Sequence, residues 1–231
     1  APEVRVRDRV SELALTLRDP LVRAVLDKID NGEPVERRRV IPLLAMIPSD
    51  KAVPILIEHI RKVEPEDEEY RAVKRALVSH GRRSADEVAR YVNSMDGSSE
   101  RKYTDMIRLL GRVGGAEQAA ILLRDLGQGS EQLRNERIRA IAKAGTGLVE
   151  PLIVAAASRP DSATSYDALM ALNLIGRREF YTSQGTLPRS ESFFDLLRST
   201  TKRRNLMRAL RVFKYFHAEQ FVSVAETTYL E

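Results

Sequence analysis

An all-α fold of repeated helical hairpins is predicted by three observations. Apolar residues recur at spacings of three and four almost throughout the 231 residues, which is the period of one helix face. Strand signals are weak, with few alternating runs of Val, Ile, Thr or Tyr. Sharp joints at Pro48, Gly81, Gly114, Gly145 and Gly176 follow one another at steps of 33, 33, 31 and 31 residues, a period that marks stacked helical pairs.

The joints define the elements in order. A first helix, A, precedes each joint. Four residues before the joints stand Leu44, Leu77, Leu110, Ile141 and Leu172; five before stand Leu43, Ala76, Leu109, Ala140 and Ala171; one before stand Ile47, His80, Val113, Ala144 and Ile175. These columns form one apolar stripe, and the small residues among them allow close approach of helices. In LLGRVGGAEQAAIL, Leu109 to Leu122, two apolar runs meet with almost no loop between them. Glycine suits such a joint because it ends a helix in the left-handed conformation without a Cβ clash. Pro48 stops a helix by being unable to continue one. Second helices, B, are predicted near Lys51–Val63, Ser84–Met95, Gly115–Leu126 and Gly147–Ser158, and an earlier pair near Val4–Leu17 and Leu21–Ile29. Several of the turns between pairs end in Ser or Asp, placed to cap the next helix. From Gly176 the next equivalent joint is near Phe216, and the excess length is placed in a loop, Arg177–Ser190. Helices near Ser190–Thr200, Lys202–Phe216 and His217–Tyr229 follow. The chain is thus expected to be a single repeat domain: regular repeats over residues 1–176, an inserted loop over 177–190, and an aromatic, basic capping repeat over 191–231.

Val35 to Val63, VERRRVIPLLAMIPSDKAVPILIEHIRKV, resembles the HEAT-repeat family of α-solenoids, which is close in pattern to armadillo repeats. Pro42 followed by Asp50 keeps that family's spacing, while Arg75, Arg108 and Arg139 occupy the Pro column of later units. The resemblance covers roughly Val4 to Ala225. It implies a right-handed α-solenoid of about six to seven hairpins, a curved rod whose B helices line the concave face. It also implies a role in holding partners, with catalysis uncommon.

Chemistry is sparse in the sequence. Cysteine is absent, so disulfides and Cys-based zinc sites are excluded. The three histidines, His59, His80 and His217, are far apart in sequence, with no metal spacing, and His80 in an apolar column is expected to be packed. No serine has a nucleophile-elbow setting. The acidic run Glu64–Glu69 reads as a helix start, where negative charge is favoured by about 0.3–1 kcal/mol. No catalytic residue, metal ligand or cofactor is therefore expected. The HEAT-like DNA glycosylases stack tryptophan on the damaged nucleotide, and this chain has no Trp. The column Arg75, Arg108, Arg139 suggests an anion ladder, but Asp105 and Glu136 stand three residues before two of its members, so exposed helix ion pairs are the expectation.

Two binding surfaces follow. A protein partner is expected on the polar face of the B helices, at Glu58, Arg61, Lys62, Glu87, Arg90, Asn93, Arg124 and Asp125. The alternative is nucleic acid or an anionic surface, held by the C-terminal basic residues Arg177, Arg178, Arg189, Arg198, Lys202, Arg203, Arg204, Arg208 and Arg211. Between Arg177 and Phe216 the net charge is +7, against +5 for the whole chain, so the remainder is slightly acidic. The longest apolar run, Leu152 to Ala157, is far shorter than the ~20 residues that span a bilayer. The chain opens on Ala1 with no Met, and one region of a larger bacterial protein is expected. A cytoplasmic location is favoured, with a periplasmic or membrane-tethered one left open.

Overall fold

The computed structural model describes residues 18–46, 52–95, 99–182, 192–217 and 221. The features predicted at Val4–Leu17, Pro48, Asp50, Arg189 and beyond Phe221 lie outside those residues. Among the described residues all regular structure is helical, and no single helix is long and apolar enough to cross a membrane. The chain divides into two compact units, Ala1–Val113 and Gly114–Glu231.

The first unit contains α1 (Arg18–Asn31), α2 (Pro34–Met46), α3 (Ala52–Lys62), α4 (Glu68–His80), α5 (Ala85–Ser94) and α6 (Glu100–Val113). Pro34 opens α2, where a missing N–H costs nothing. Pro42 lies inside α2 and removes one intrahelical hydrogen bond. Helix α2 packs on α1 and α4, α3 on α4 and α5, and α6 on α4 and α5. The predicted seam is here: Leu44, Leu77 and Leu110 are fully buried, beside Leu56, Ile60 and Val88. Each buried leucine contributes about 1.5–3 kcal/mol relative to exposure. Leu43, in the neighbouring column, stays at the surface.

Polar groups tie these helices end to end. Lys102, buried on α6, donates from Nζ to the carbonyls of Arg61 (2.9 Å) and Val63 (2.8 Å). Those carbonyls close α3, where no intrahelical donor is available. Glu69 is buried as well. Its Oε2 accepts from Arg37 Nε at 3.2 Å and lies 3.0 Å from His59 Nε2, so one carboxylate joins α2, α3 and α4. The acidic run is therefore more than a solvated helix start, because one of its members faces inward.

The second unit contains α7 (Ala116–Ala119, continued by a 3-10 turn over Ala120–Leu123), α8 (Glu131–Ala144), α9 (Val149–Ser158), α10 (Ala163–Thr182), α11 (Ser192–Ser199) and α12 (Arg203–Phe216). The helix expected over Gly115–Leu126 is thus short and partly 3-10. Ser130 caps α8 by accepting from the Leu133 N–H at 3.3 Å. Ile141 and Leu172 are fully buried in their predicted column.

The turn between α7 and α8 is pinned from two sides. Arg137, 2% exposed, donates to the carbonyls of Asp125 (2.6 Å) and Gln128 (2.9 Å). From α10, Thr164 Oγ1 donates to the Leu126 carbonyl at 3.0 Å, and Asp167 accepts the Gly127 N–H at 2.8 Å together with both arms of Arg134. The turn after α9 is held in the same manner from α12. Asp161, at a left-handed φ of 64°, accepts from Thr201 Oγ1 (2.8 Å), the Lys202 N–H (3.1 Å) and Asn205 Nδ2 (2.8 Å).

The joint glycines differ in kind. Gly81 (φ 57°) and Gly145 (φ 98°) take the predicted positive φ. Gly114, the joint predicted between them, does not take a positive φ, and Gly115 beside it is extended at φ −107°, its N–H donating to Gln118 Oε1 at 3.0 Å. Gly176 is no joint at all, because α10 runs through it to Thr182. The predicted loop over Arg177–Ser190 accordingly begins as helix. A Cβ on Gly176 would meet Tyr215 side-chain atoms at 3.0 Å and Phe216 at 3.1 Å. Glycine is needed there for the close approach of α12 to α10. Phe193, Phe213 and Phe216 are buried around that contact, with His217 stacked on Phe213 at 4.7 Å.

Two outcomes test this account. Gly176→Val is expected to cost about 1–3 kcal/mol through overpacking, whereas Gly115→Ala is expected to change stability by less than about 0.5 kcal/mol. Equal effects in urea unfolding would contradict the close approach of α12 as the reason for glycine at Gly176. For Asp161, desolvation opposes ionisation, but hydrogen bonds from Asn205, Thr201 and Lys202 prevail and hold its carboxyl below the ordinary value. A depressed folded-state pKa stabilises the fold above the unfolded value of ~3.9 and loses that contribution as pH falls through the folded value. Asp161→Ala is therefore expected to destabilise the protein at neutral pH and to narrow its gap from wild type in acid. A gap that is constant with pH would contradict the assignment.

Candidate functional site

Of three grooves between helices, the one with the least internally compensated charge lies in the first unit, between α4 and α6. Arg71, Lys74, Arg75, Val78 and Ser79 from α4 face Asp105, Arg108, Leu109 and Arg112 from α6 across a groove of about 570 Å³. A second groove of about 420 Å³, between α2 and α4, shares Arg71, Arg75 and Ser79 and adds Arg38, Pro42 and Glu68. Helical periodicity explains the grouping. Arg71 and Arg75 stand four apart on α4, as do Arg108 and Arg112 on α6, so each pair occupies one helix face a turn apart.

Charge within the groove is unevenly paired. Asp105 accepts from Lys74 Nζ at 2.8 Å and from Arg108 Nη1 at 3.3 Å. In the neighbouring α2–α4 groove, Arg38 pairs with Glu68. Among the described residues, Arg71, Arg75 and Arg112 have no carboxylate partner, although Arg75 Nε donates to the Arg71 carbonyl at 3.3 Å. All three are exposed. Val78, 38% exposed, adds an apolar surface on the α4 wall. Behind Lys74, whose ammonium lies 5.0 Å from the Tyr70 ring centre, burial and the Asp105 charge raise the Tyr70 pKa.

The predicted ladder is thus divided. Arg108–Asp105 and Arg139–Glu136 (2.9 Å) are the expected ion pairs, whereas Arg75 has none. Arg139 belongs to the second unit. Arg71, Lys74 and Arg112 were not singled out in the sequence. The signal that points to them is the basic spacing of four, Arg71/Arg75 and Arg108/Arg112, on two successive A helices, with no acid between the members of either pair.

The predicted B-helix residues lie on two units. In the first, Glu58 pairs with Arg61 (3.9 Å) and Lys62 (3.3 Å) on α3, Glu87 pairs with Arg90 on α5, and Asn93 is exposed on the same helix. Arg61 also stacks over the Tyr91 ring at 5.0 Å, which brings α3 and α5 together. Charges on this face are largely answered by one another. Arg124 and Asp125 are in the second unit and pair at 3.1 Å.

The predicted C-terminal basic set is scattered over three helices. Arg177 is exposed on α10, and Arg178 donates to the Ala142 carbonyl at 3.0 Å and pairs with Glu179. Arg198 pairs with Asp195 on α11. Lys202, Arg204 and Arg208 line a groove of about 500 Å³ with Arg134 and Tyr166, but Asp161, Asp167 and Glu131 line it too. Arg208 is engaged there, 4.3 Å over the Tyr166 ring and bonded to Asn205. Arg203 and Arg211 are exposed on α12. Among the described residues no group of His, Asp or Glu is arranged to hold a metal ion.

Compared with known proteins, the sequence matches no protein-family model and no curated protein.

If the three groove arginines have no structural partner, their removal should cost little. Arg71→Ala, Arg75→Ala and Arg112→Ala are each expected to shift stability by no more than about 0.5 kcal/mol. Asp105→Ala, which leaves the part-buried Lys74 without its partner, is expected to cost about 1–3 kcal/mol. The reverse order in thermal unfolding would make the arginines part of the scaffold.

Proposed function

We propose that the chain is a non-catalytic, HEAT-like scaffold that holds a protein partner on a face assembled from successive helical hairpins. One observation carries this reading: side chains from separate helices converge on the α4–α6 groove, where Arg71, Arg75 and Arg112 lack carboxylate partners. Exposed arginines kept near one another without partners carry a self-repulsion that a bound anionic group relieves. The B-helix face of α3 and α5 is the second surface for a partner, supported by the clustering of Arg61 on Tyr91 but offset by its internal ion pairs. Nucleic-acid binding by the C-terminal basic residues is the alternative: Arg178, Arg198 and Arg208 are committed to neighbours within the protein, while Arg177, Arg203, Arg204 and Arg211 are exposed and have no carboxylate partner among the described residues.

Affinity capture from a lysate of the source organism, with and without nuclease, separates these readings. Protein retained after nuclease treatment is expected, with retention lost in Arg71→Glu/Arg75→Glu and preserved in Arg203→Glu/Arg204→Glu. Nuclease-sensitive capture, with affinity falling steeply as salt rises through counterion release, would replace the scaffold reading with nucleic-acid binding. Loss in Arg61→Glu/Arg90→Glu alone would move the partner to the B-helix face.

A further inference from the structure

The α4–α6 groove restricts the chemistry of what it can hold, and this inference rests on the scaffold reading above. We propose that the groove docks an acidic helical segment of a partner protein, with carboxylates one turn apart on Arg71 and Arg75, another on Arg112, and an apolar side chain set against Val78.

The spacing supports a helix. Arg71 and Arg75 are four residues apart on α4, so their stems are separated by about 6 Å along its axis. Asp or Glu side chains at i and i+4 of a ligand helix have the same separation. Guanidinium and carboxylate then meet as planar forks, with two parallel hydrogen bonds per pair. Arg112, from the opposite wall, supplies a donor set on the other side of the ligand. Val78 lies between Arg75 and Ser79 on the α4 wall and is exposed by 38%, which provides one apolar contact among the charges.

The same lining disfavours a nucleic acid. Single strands are held by aromatic platforms on which bases stack, and no residue lining this groove is aromatic. Asp105 within the groove sets negative charge where a continuous phosphate backbone would pass. A peptide avoids this conflict by placing its acids only opposite the arginines.

The test uses the full chain and three synthetic probes followed by fluorescence anisotropy. The first is an end-blocked helical peptide of roughly 15 residues, with Glu at i, i+4 and i+7 and Leu on the same face. The second has the same composition with the acids dispersed around the helix, and the third is single-stranded DNA of matching charge. The ordered peptide is expected to bind about tenfold more tightly than the dispersed one. Binding is expected to weaken at least about tenfold in Arg71→Glu/Arg75→Glu and in Arg112→Glu, and to be unchanged in Arg203→Glu/Arg204→Glu. Arg71→Gln/Arg75→Gln guards against misfolding of the reversed variant and should show the same direction of loss with an unchanged thermal midpoint. A peptide carrying Lys in place of Glu should bind Arg71→Glu/Arg75→Glu better than wild type. Equal binding of ordered and dispersed peptides, tighter binding of DNA, or no peptide binding by wild type would each overturn the proposal. If nuclease-resistant protein capture persists in any of those cases, the scaffold reading stands and only the acidic-helix assignment falls.

Discussion

The recurring constraint in this protein is a polar connection between helix ends. The turn that follows one helix is held by side chains of the helix three further along the chain. Lys102 on α6 holds the end of α3. Thr164 and Asp167 on α10 hold the turn after α7. Asn205 on α12 holds Asp161 after α9. Backbone groups at helix ends have no intrahelical partners and are expensive to bury unmet. By supplying those partners from a distant helix, the chain links satisfaction of each turn to correct stacking. Apolar contacts are tolerant of small slides, but these hydrogen bonds are directional and fix which helix lies beside which.

That constraint explains the character of the surfaces. Once α4 and α6 are held side by side, whatever their sequences carry on the matching face becomes one groove. Their inward columns are spent on the core, as in Leu77 and Leu110. Their outward columns combine Arg71 and Arg75 with Arg108 and Arg112. Asp105 answers only part of this charge, because one carboxylate already shared by Lys74 and Arg108 has little capacity for a third cation. The α3 and α5 face differs in that each helix carries its own acid within three or four residues of its bases. Helix-local pairing leaves that face nearly balanced, whereas in the groove one acid, Asp105, meets five basic residues and leaves an excess of positive charge.

Glycine has more than one use in this chain, and the spacing of glycines does not distinguish them. Gly81 and Gly145 adopt positive φ at helix ends, where a side chain would be strained. Gly176 falls on the same interval, yet it lies within α10 and gives way to Tyr215 and Phe216. The shared requirement is the missing Cβ; in one case it frees the backbone and in the other it admits a neighbouring helix.

Much of the fold was legible in the sequence because it depends on local periodicity. The columns Leu77, Leu110, Ile141 and Leu172 face inward in the structure, as a period of three and four dictates, and Ser130 caps α8 by a bond to its own helix. Ion pairs such as Arg108–Asp105 and Arg139–Glu136 were readable for the same reason, since helical geometry alone brings residues three apart together. Burial of Glu69, the partners of Lys102 and Asp167, and the role of Gly176 were not readable, because their partners lie 10 to 41 residues away. The groove belongs to that second group: sequence spacing placed two arginines on each helix, but only the packing of α4 on α6 decided that they share a wall and which of them has no carboxylate within reach.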